Sequence, residues 1–209
     1  MEFLIRSRVQ PARLGIFPGS FHPITRAHLA LAQTALQRVD EVVFTMPRRF
    51  PHKEYKDVGL AARMEIVCAA IAGQRAFSAA ITEGGLFIEI ARECRDAYGG
   101  VCELWMVCGR DAAERIVGWD YGDIPVEMQL EEYGLLVAGR EGLYQPPTHL
   151  RRRVRHLVVE GWDEVSATEV RRRIRCGKNW EELIPVEAVD LVRRHYKTAP
   201  HCRGSESCV

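Results

Sequence analysis

The stretch GIFPGSFHPITRAHL, residues 15–29, joins a short apolar run to a helical pattern. The run RLGIF that leads into it predicts a buried β-strand, and AHLALAQTALQRV, which follows it, predicts a helix. A strand, a glycine-containing turn and a helix in this order are typical of the first unit of an α/β sheet. The exposed N–H groups and the positive dipole end at the start of such a helix favour an anion.

The same alternation continues along the rest of the chain. Further strands are predicted at EVVFTM, AFSAAI, CELWMVCG, YGLLVAG and VRHLVVEGW. Further helices are predicted at GLAARMEIVCAAIAG, LFIEIARECRDAYG, DAAERIVG, ATEVRRRIRCG and PVEAVDLVRRHY. Apolar strands that alternate with helices predict an α/β fold, a Rossmann-like, doubly wound and mostly parallel sheet with helices on both faces. A small helical segment completes the fold at the C-terminal end.

The chain has enough apolar residues for one domain. Its 209 residues are 47% hydrophobic, which is sufficient to bury a substantial core. We place an N-terminal extension at residues 1–12 and the domain at 13–197, with its C-terminal helical part beginning near residue 166. Residues 198–209 are small and polar without periodicity, so we expect a disordered tail.

Charge and cysteine usage narrow the class of protein. The 29 basic and 28 acidic side chains nearly cancel, so the chain as a whole does not attract nucleic acid or acidic lipid. No apolar run approaches the about 20 residues that cross a bilayer, and the N-terminus has no signal-peptide pattern, so we expect a cytoplasmic protein without a membrane partner. The seven cysteines form no CxxC pair, which predicts reduced thiols and no zinc site, with Cys102 and Cys108 as core residues.

Two arginine runs, HLRRRVRH and EVRRRIRCGK, have the composition of a nucleic-acid footprint. On a helix, however, Arg172, Arg173 and Arg175 cannot all point in the direction of Arg171. We therefore predict that most of these arginines are solvated or paired with acidic residues, and we do not expect a nucleic-acid partner.

The turn after the first strand carries a candidate phosphate site. Gly15 and Gly19 allow close approach of the backbone. Thr25 and His28 are three residues apart and share one face of the first helical turn. A hydroxyl and an imidazole on one face would bind phosphate oxygens and stabilise charge that develops during transfer. The alternative is an ordinary turn in which threonine caps the helix and the histidine lies on the surface.

A second candidate segment is VSATEVRRRIRCG, residues 165–177. Ser166 and Glu169 fit a capping box, which is the purely structural interpretation. Thr168 and Arg171 then follow on one face, next to a helix terminus that attracts anions. Two hydroxyls and a guanidinium at this position suit a polyphosphate.

These two segments resemble the signatures of the nucleotidylyltransferase superfamily. Residues 15–28 resemble GxFxxxFxPxHxGH, and VSATEVR resembles ISSTxxR. PRRFPHKEY resembles the PPHK segment of bacterial nicotinate (nicotinamide) mononucleotide adenylyltransferases. ELWMVCGRDAAERIVGW resembles their strand that ends in GxD and precedes a tryptophan, and LIPVEAVDLVRRHY is similar to their closing LIPxxVxxYI helix. The resemblance covers nearly the whole chain.

The resemblance implies adenylyl transfer from ATP to a pyridine mononucleotide in NAD biosynthesis, without a covalent enzyme intermediate. It implies Mg²⁺ bound through ATP and pyrophosphate, and it is compatible with a homo-oligomer. The catalytic residues it implies are His28, Thr25 and Arg171. The ATP-binding residues it implies are Gly15, Phe17, Gly19, Ser20, Phe21, His28, Ser166, Thr168 and Arg171. The mononucleotide-binding residues it implies are His52, Lys53, Thr82, Asp111 and Trp119. Trp119 has a second interpretation, as a core aromatic residue.

The sequence departs from the family pattern at three places. Thr25 stands where this group has its first histidine, and the related phosphopantetheine enzymes also carry threonine there. Ala27 replaces a glycine. The middle stretch AFSAAITEGGLFIEI retains only Thr82 of the segment that recognises the mononucleotide. Two other functions therefore stay open: a nucleotidylyltransferase for another phosphorylated acceptor such as phosphopantetheine, and a non-catalytic nucleotide-binding regulator.

Overall fold

The computed structural model describes residues 1–49, 57–100, 102–119, 125–139, 144–159, 161–162 and 165–196. Within these ranges, seven strands form one sheet in the order β1-β4-β3-β2-β5-β6-β7. The strands are β1 (Glu2–Ile5), β2 (Arg13–Pro18), β3 (Glu41–Pro47), β4 (Phe77–Thr82), β5 (Glu103–Gly109), β6 (Gly134–Ala138) and β7 (Val154–Leu157). The helices are α1 (Arg26–Ala35), α2 (Leu60–Ile71), α3 (Phe87–Ala97), α4 (Arg110–Gly118), α5 (Val126–Glu132), α6 (Ala167–Arg175) and α7 (Val189–His195).

The sheet is parallel except at one edge, where β1 runs antiparallel to β4. The chain proceeds outward from β2 to β3 and β4, and then returns to the other side of β2 for β5, β6 and β7. The strand order therefore reverses between β2 and β5. This arrangement confirms the predicted doubly wound sheet, and ligands of such sheets bind beyond the carboxyl ends of the strands at the point of reversal.

Side chains of each strand alternate between two cores, one on each face of the sheet. In β2, Ile16 packs into one core while Phe17 packs into the other. The Phe17 core is covered by α1, α2, α6 and α7, and the Ile16 core by α3, α4 and α5. Helices thus cover both faces, as the apolar strand patterns predict.

The C-terminal segment packs on the same face as α1 and α2. Val170 and Ile174 of α6, and Val192 of α7, are buried in the Phe17 core. A 3₁₀ turn, Val186–Ala188, precedes α7, so the helix predicted from Pro185 is divided in two. The predicted C-terminal helical part is therefore present as an integral layer of the domain.

Two elements lie outside the predicted pattern. β1 falls within the predicted N-terminal extension, so the sheet begins ahead of the boundary at residue 13. Its short alternation of exposed and half-buried residues, EFLI, is typical of an edge strand. α5 is a short, polar helix that buries chiefly Gln129 and Leu130, which gives it a weak periodic signal.

The described cysteines agree with the expectation of reduced thiols. Cys68, Cys94, Cys102, Cys108 and Cys176 are free, and Cys102 and Cys108 are buried as predicted for core residues. Cys202, Cys208 and the predicted tail lie outside the described residues. In the ranges that the structure describes, none of the helices has the length and hydropathy needed to cross a bilayer.

Candidate active site

A cavity of about 720 Å³ lies at the carboxyl ends of β2, β5 and β6, where the strand order reverses. It is bounded by the starts of α1 and α4 and by the chain that follows β7. The residues on its wall are Phe17, Ala27, His28, Leu31, Gly109, Arg110, Asp111, Ala112, Glu114, Arg115, Ala138, Gly139, Val159 and Trp162. The cavity therefore occupies the position where this sheet topology places ligands.

His28 is held on the cavity wall by the residue that caps α1. Thr25 is the N-cap, buried and in an extended conformation. Its backbone N–H donates to Nδ1 of His28 at 3.0 Å, and its Oγ1 lies 2.8 Å from the same nitrogen. An imidazole thus occupies the place that glutamate takes in an ordinary capping box. Because Nδ1 accepts a hydrogen bond from the backbone, the neutral ring carries its proton on Nε2.

Aromatic rings fix the orientation of this imidazole. The ring centroids of Phe17 and Phe21 lie 6.0 and 5.5 Å from that of His28. Phe21 is only 2% exposed and also contacts Phe44. Phe21 packs against the His28 ring and is not among the residues of the cavity wall, and its predicted contact with ATP stays a prediction.

The two predicted glycines have different surroundings. Gly15 is buried within β2, where an added Cβ would lie 3.0 Å from Val39 and 3.2 Å from Val42, so its small size allows β2 to lie close to β3 and to the connection that precedes it. Gly15 is not among the residues of the cavity wall, and its predicted contact with ATP stays a prediction. Gly19 begins the loop after β2, donates to the Thr45 carbonyl at 3.0 Å, and faces the Phe21 ring so closely that a Cβ would lie 2.6 Å away. Glycine at position 19 thus allows the loop to fold onto its own phenylalanine.

The second motif reaches this loop through Arg171. Ser166 caps α6 and its Oγ accepts from the Glu169 N–H at 3.1 Å, as predicted. Nη2 of Arg171 donates to Thr168 Oγ1 at 3.2 Å, so these two residues share a face as their spacing predicts. Nη1 of Arg171 donates to the His22 carbonyl at 2.6 Å. The two motifs therefore meet, although Ser166, Thr168 and Arg171 adjoin the cavity through the loop and do not line its wall.

The other arginines of α6 are occupied by acidic side chains. Glu169 accepts from Arg172 and Arg173, and these two guanidinium groups lower the pKa of its carboxyl to about 2. Arg173 also binds Glu182 at 2.7 Å. The predicted pairing with acids is confirmed for these two arginines, and it leaves Arg171 as the residue that α6 directs to the loop.

The arginine run before β7 behaves differently. In the part of the chain that the structure describes, Arg151, Arg152 and Arg155 form no ion pair with a carboxylate. Arg155 instead stacks over the Trp105 ring, 4.7 Å from its centroid. The prediction that nucleic acid is not a partner remains a prediction.

The residues predicted to hold the mononucleotide fall into three groups. Asp111 lies in the first turn of α4 and Trp119 follows its last residue, and both line a second, open cavity of about 610 Å³. Trp119 is 51% exposed, so the interpretation as a core aromatic is wrong. Thr82 is buried at the carboxyl end of β4 and donates to the Gly84 carbonyl at 3.0 Å. His52 and Lys53 lie outside the described residues.

Sequence analysis did not single out several residues of the cavity wall. Arg110, Glu114 and Arg115 lie on α4, where Arg110 Nε donates to Glu114 at 2.8 Å and Arg115 Nε donates to the Asp111 carbonyl at 3.2 Å. Asp111, Glu114 and Arg115 are shared with the second cavity, so α4 separates two adjoining spaces. In the sequence, these residues could have been found from charged residues spaced four apart, Arg110 with Glu114 and Asp111 with Arg115. No sequence pattern pointed to Trp162, because VRHLVVEGW, the stretch that ends with it, matched a strand.

The donor set of this site suits phosphate oxygens. Hydroxyl, imidazole and guanidinium groups supply hydrogen-bond donors of the kind that phosphates accept. Among the residues that the structure describes, no three His, Cys, Asp or Glu side chains cluster closely enough to hold a metal ion. The described wall carries His28, Arg110 and Arg115 together with the carboxylates Asp111 and Glu114, and the second motif adds its donors at the adjoining loop.

Residues 16–173 match the family model described as cytidylyltransferase-like. The chain belongs to the cytidylyltransferase-like family. This membership confirms the predicted nucleotidylyltransferase superfamily and makes the protein a nucleotidyltransferase. The matched residues include the loop of residues 19–23, His28 and the second motif from Ser166 to Arg171.

Curated relatives of this cytidylyltransferase-like protein cover almost the whole chain. A protein of Rubrobacter xylanophilus is 32% identical over 92% of this chain and 96% of its own length. One of Moorella thermoacetica is 26% identical over 93% of this chain and 95% of its own. Each is named a probable nicotinate-nucleotide adenylyltransferase.

A solved structure supports the fold of this family member. The nicotinic acid mononucleotide adenylyltransferase of Plasmodium falciparum, complexed with NaAD, superposes with a TM-score of 0.66 at 15% identity. The match covers 87% of this chain and 95% of that one. At this identity the similarity concerns the fold, which agrees with the sheet order described above.

Proposed function

We propose that the protein transfers the adenylyl group of ATP to nicotinate mononucleotide and releases pyrophosphate. The observation that carries the proposal is that the His28 imidazole, whose Nδ1 accepts from the Thr25 N–H, lies on the wall of a cavity at the reversal of the sheet. The name of the Rubrobacter relative supports nicotinate mononucleotide as the acceptor. The Plasmodium structure complexed with NaAD supports a dinucleotide product.

The reaction is an in-line displacement at the α-phosphorus of ATP. A 5′-phosphate oxygen of the mononucleotide forms a bond to the α-phosphorus, and the bond from that phosphorus to the oxygen bridging to the β-phosphate breaks. The electron pair leaves with pyrophosphate. This chemistry requires positioning and charge neutralisation rather than a covalent enzyme intermediate.

His28 and Arg171 would neutralise the negative charge of different phosphates of ATP. In this proposal the Nε2–H of His28 donates to an α-phosphate oxygen, where charge develops in the transition state. Ser166, Thr168 and Arg171 bind the β- and γ-phosphates, which become the leaving group. ATP enters as its Mg²⁺ complex, since phosphate oxygens and water are the ligands that this ion prefers.

The acceptor would bind on the α4 side of the site. Asp111 and Trp119 line the open cavity next to the His28 cavity, so a mononucleotide there directs its phosphate toward ATP. The exposed ring of Trp119 provides a flat surface on which the pyridine can stack.

Pyrophosphate release from MgATP tests the proposal directly. The assay compares nicotinate mononucleotide, nicotinamide mononucleotide and phosphopantetheine at equal concentrations, and identifies each product by mass. We expect release with the pyridine mononucleotides, faster with nicotinate, and none with phosphopantetheine. Release with phosphopantetheine alone would establish a different acceptor. ATP binding without release under any acceptor would favour the nucleotide-binding regulator.

A further inference from the structure

Tyr196, the residue that follows α7, contacts the loop between β2 and α1. Its Oη lies 2.6 Å from Nδ1 of His22, and the two ring centroids are 5.2 Å apart. Tyr196 is 9% exposed and His22 is 7% exposed. The C-terminal layer therefore holds the same loop that leads to Thr25 and His28.

Two arginines from other helices hold the backbone of this loop. Arg63 of α2 is buried and donates to the Ser20 carbonyl at 2.8 Å. Arg171 of α6 donates to the His22 carbonyl at 2.6 Å. With Tyr196, three separate helical elements thus fix residues 20–22, and His22 receives two of the three contacts.

The side chain of His22 is neutral in this environment. Burial lowers its pKa to about 4, and the nearby Arg171 and Arg63 act in the same direction against Asp57. Its hydrogen bond to Tyr196 consequently joins two neutral groups. The pair can fix the loop without placing a further charge beside bound phosphates.

We propose that Tyr196 is a positioning residue that acts through His22 to hold the loop of residues 19–23, and with it His28, in the geometry for adenylyl transfer. This inference rests on the function proposed above. Tyr196 is not on the cavity wall, so it acts on the reaction only through the loop. Loss of its hydroxyl would lower the fraction of molecules in which His28 meets the α-phosphate correctly.

Tyr196→Phe tests this role, since it removes the hydroxyl and keeps the ring. We expect kcat to fall by about 3- to 10-fold, the range given by one net hydrogen bond, with the KM of ATP nearly unchanged. Hydrogen–deuterium exchange at residues 19–25 should become faster. In a His22→Leu background, the same substitution should add little, because the pair is already broken.

Tyr98→Phe is the matched control. Its hydroxyl donates to Glu41 at 2.5 Å. Glu41 is the first residue of β3, so this bond lies at the amino end of the strands, whereas the loop lies at their carboxyl end. We expect it to lower Tm while kcat and loop exchange stay unchanged. If Tyr196→Phe behaves like this control, with a lower Tm alone, the positioning role is overturned. An inactive wild-type enzyme would instead overturn the proposed function, and the exchange data would still decide whether Tyr196 orders the loop.

Discussion

The parallel strands have an amino end and a carboxyl end, called here the amino edge and the carboxyl edge of the sheet. Both edges carry buried polar residues, but the surroundings of these residues differ. At the amino edge, Glu41 is fully buried and accepts from Ser78 at 2.6 Å and from Tyr98 at 2.5 Å. At the carboxyl edge, Thr25 is equally buried, yet its partner His28 stands on a cavity wall. A closed cluster serves the stability of the fold, whereas a cluster that opens onto a cavity is available for chemistry. Substitutions at the two edges should therefore separate activity from stability.

The largest effect is expected at His28. His28→Ala removes the Nε2 donor, so kcat should fall by about 10²-fold or more, while Tm stays close to that of the wild type. Steady-state kinetics and a thermal melt check both parts. An unchanged kcat would place the carboxyl edge in the same purely structural class as the amino edge.

Arg171→Ala should act on ATP binding. The variant loses a guanidinium from the second motif, and we expect the KM of ATP to rise by about 10-fold, equal to about 1.4 kcal/mol. Titration of ATP at saturating nicotinate mononucleotide measures this change. Arg175→Ala is the control, since Arg175 is exposed on the same helix and should leave the KM unaltered. Equal KM values for the two variants would reduce the second motif to a capped helix.

Ser78→Ala tests the amino edge. Its Oγ donates to Glu41 and accepts from the Ser7 N–H at 2.8 Å, so both bonds are lost. The free energy of unfolding should fall by about 1 kcal/mol, and kcat should stay at the wild-type value. Urea denaturation and the pyrophosphate assay supply the two numbers. A loss of kcat at 25 °C would show that the two edges are coupled.

The smallest effect is expected from the exposed ion pairs of α6. Arg172 and Arg173 lower the pKa of Glu169 from 4.5 to about 2, so the folded state favours the ionised carboxylate. Its contribution to stability is therefore present above pH 4.5 and is lost as the pH falls through about 2. Glu169→Gln should lower Tm slightly at pH 7, and the difference from the wild type should shrink as the pH falls below 4.5 and be nearly gone at pH 2. A difference that persists at pH 2 would mean that packing, not charge, stabilises this turn.

Much of the fold was predictable because its signals are local. Apolar strands such as β3 and β5 alternate with helices at short range, and that pattern alone predicts a parallel sheet with two covered faces. β1 was missed because four residues of an edge strand show only a weak alternation. α5 was missed because a short helix that buries a glutamine lacks a clear apolar stripe.

The parts of the site that rest on local spacing were also predictable from the sequence. The pairs Thr25–His28 and Thr168–Arg171 are encoded by a spacing of three residues, which places them on one helical face. The contact of Arg171 with the His22 carbonyl joins residues 149 positions apart, and no periodicity encodes such a contact. Only the folded chain shows that Gly15 serves packing and that Tyr196 touches the loop, because both depend on which elements become neighbours.

The antiparallel strand β1 has a consequence for how the molecule behaves in solution. β4, with the sequence FSAAIT, is buried along its whole length. Without a neighbour it would offer a row of unpaired peptide groups, flanked by apolar side chains, to other chains. β1 covers that row with four residues of which Glu2 and Leu4 are exposed. A chain shortened by its first seven residues should therefore self-associate and precipitate even where the cavity beside His28 is intact.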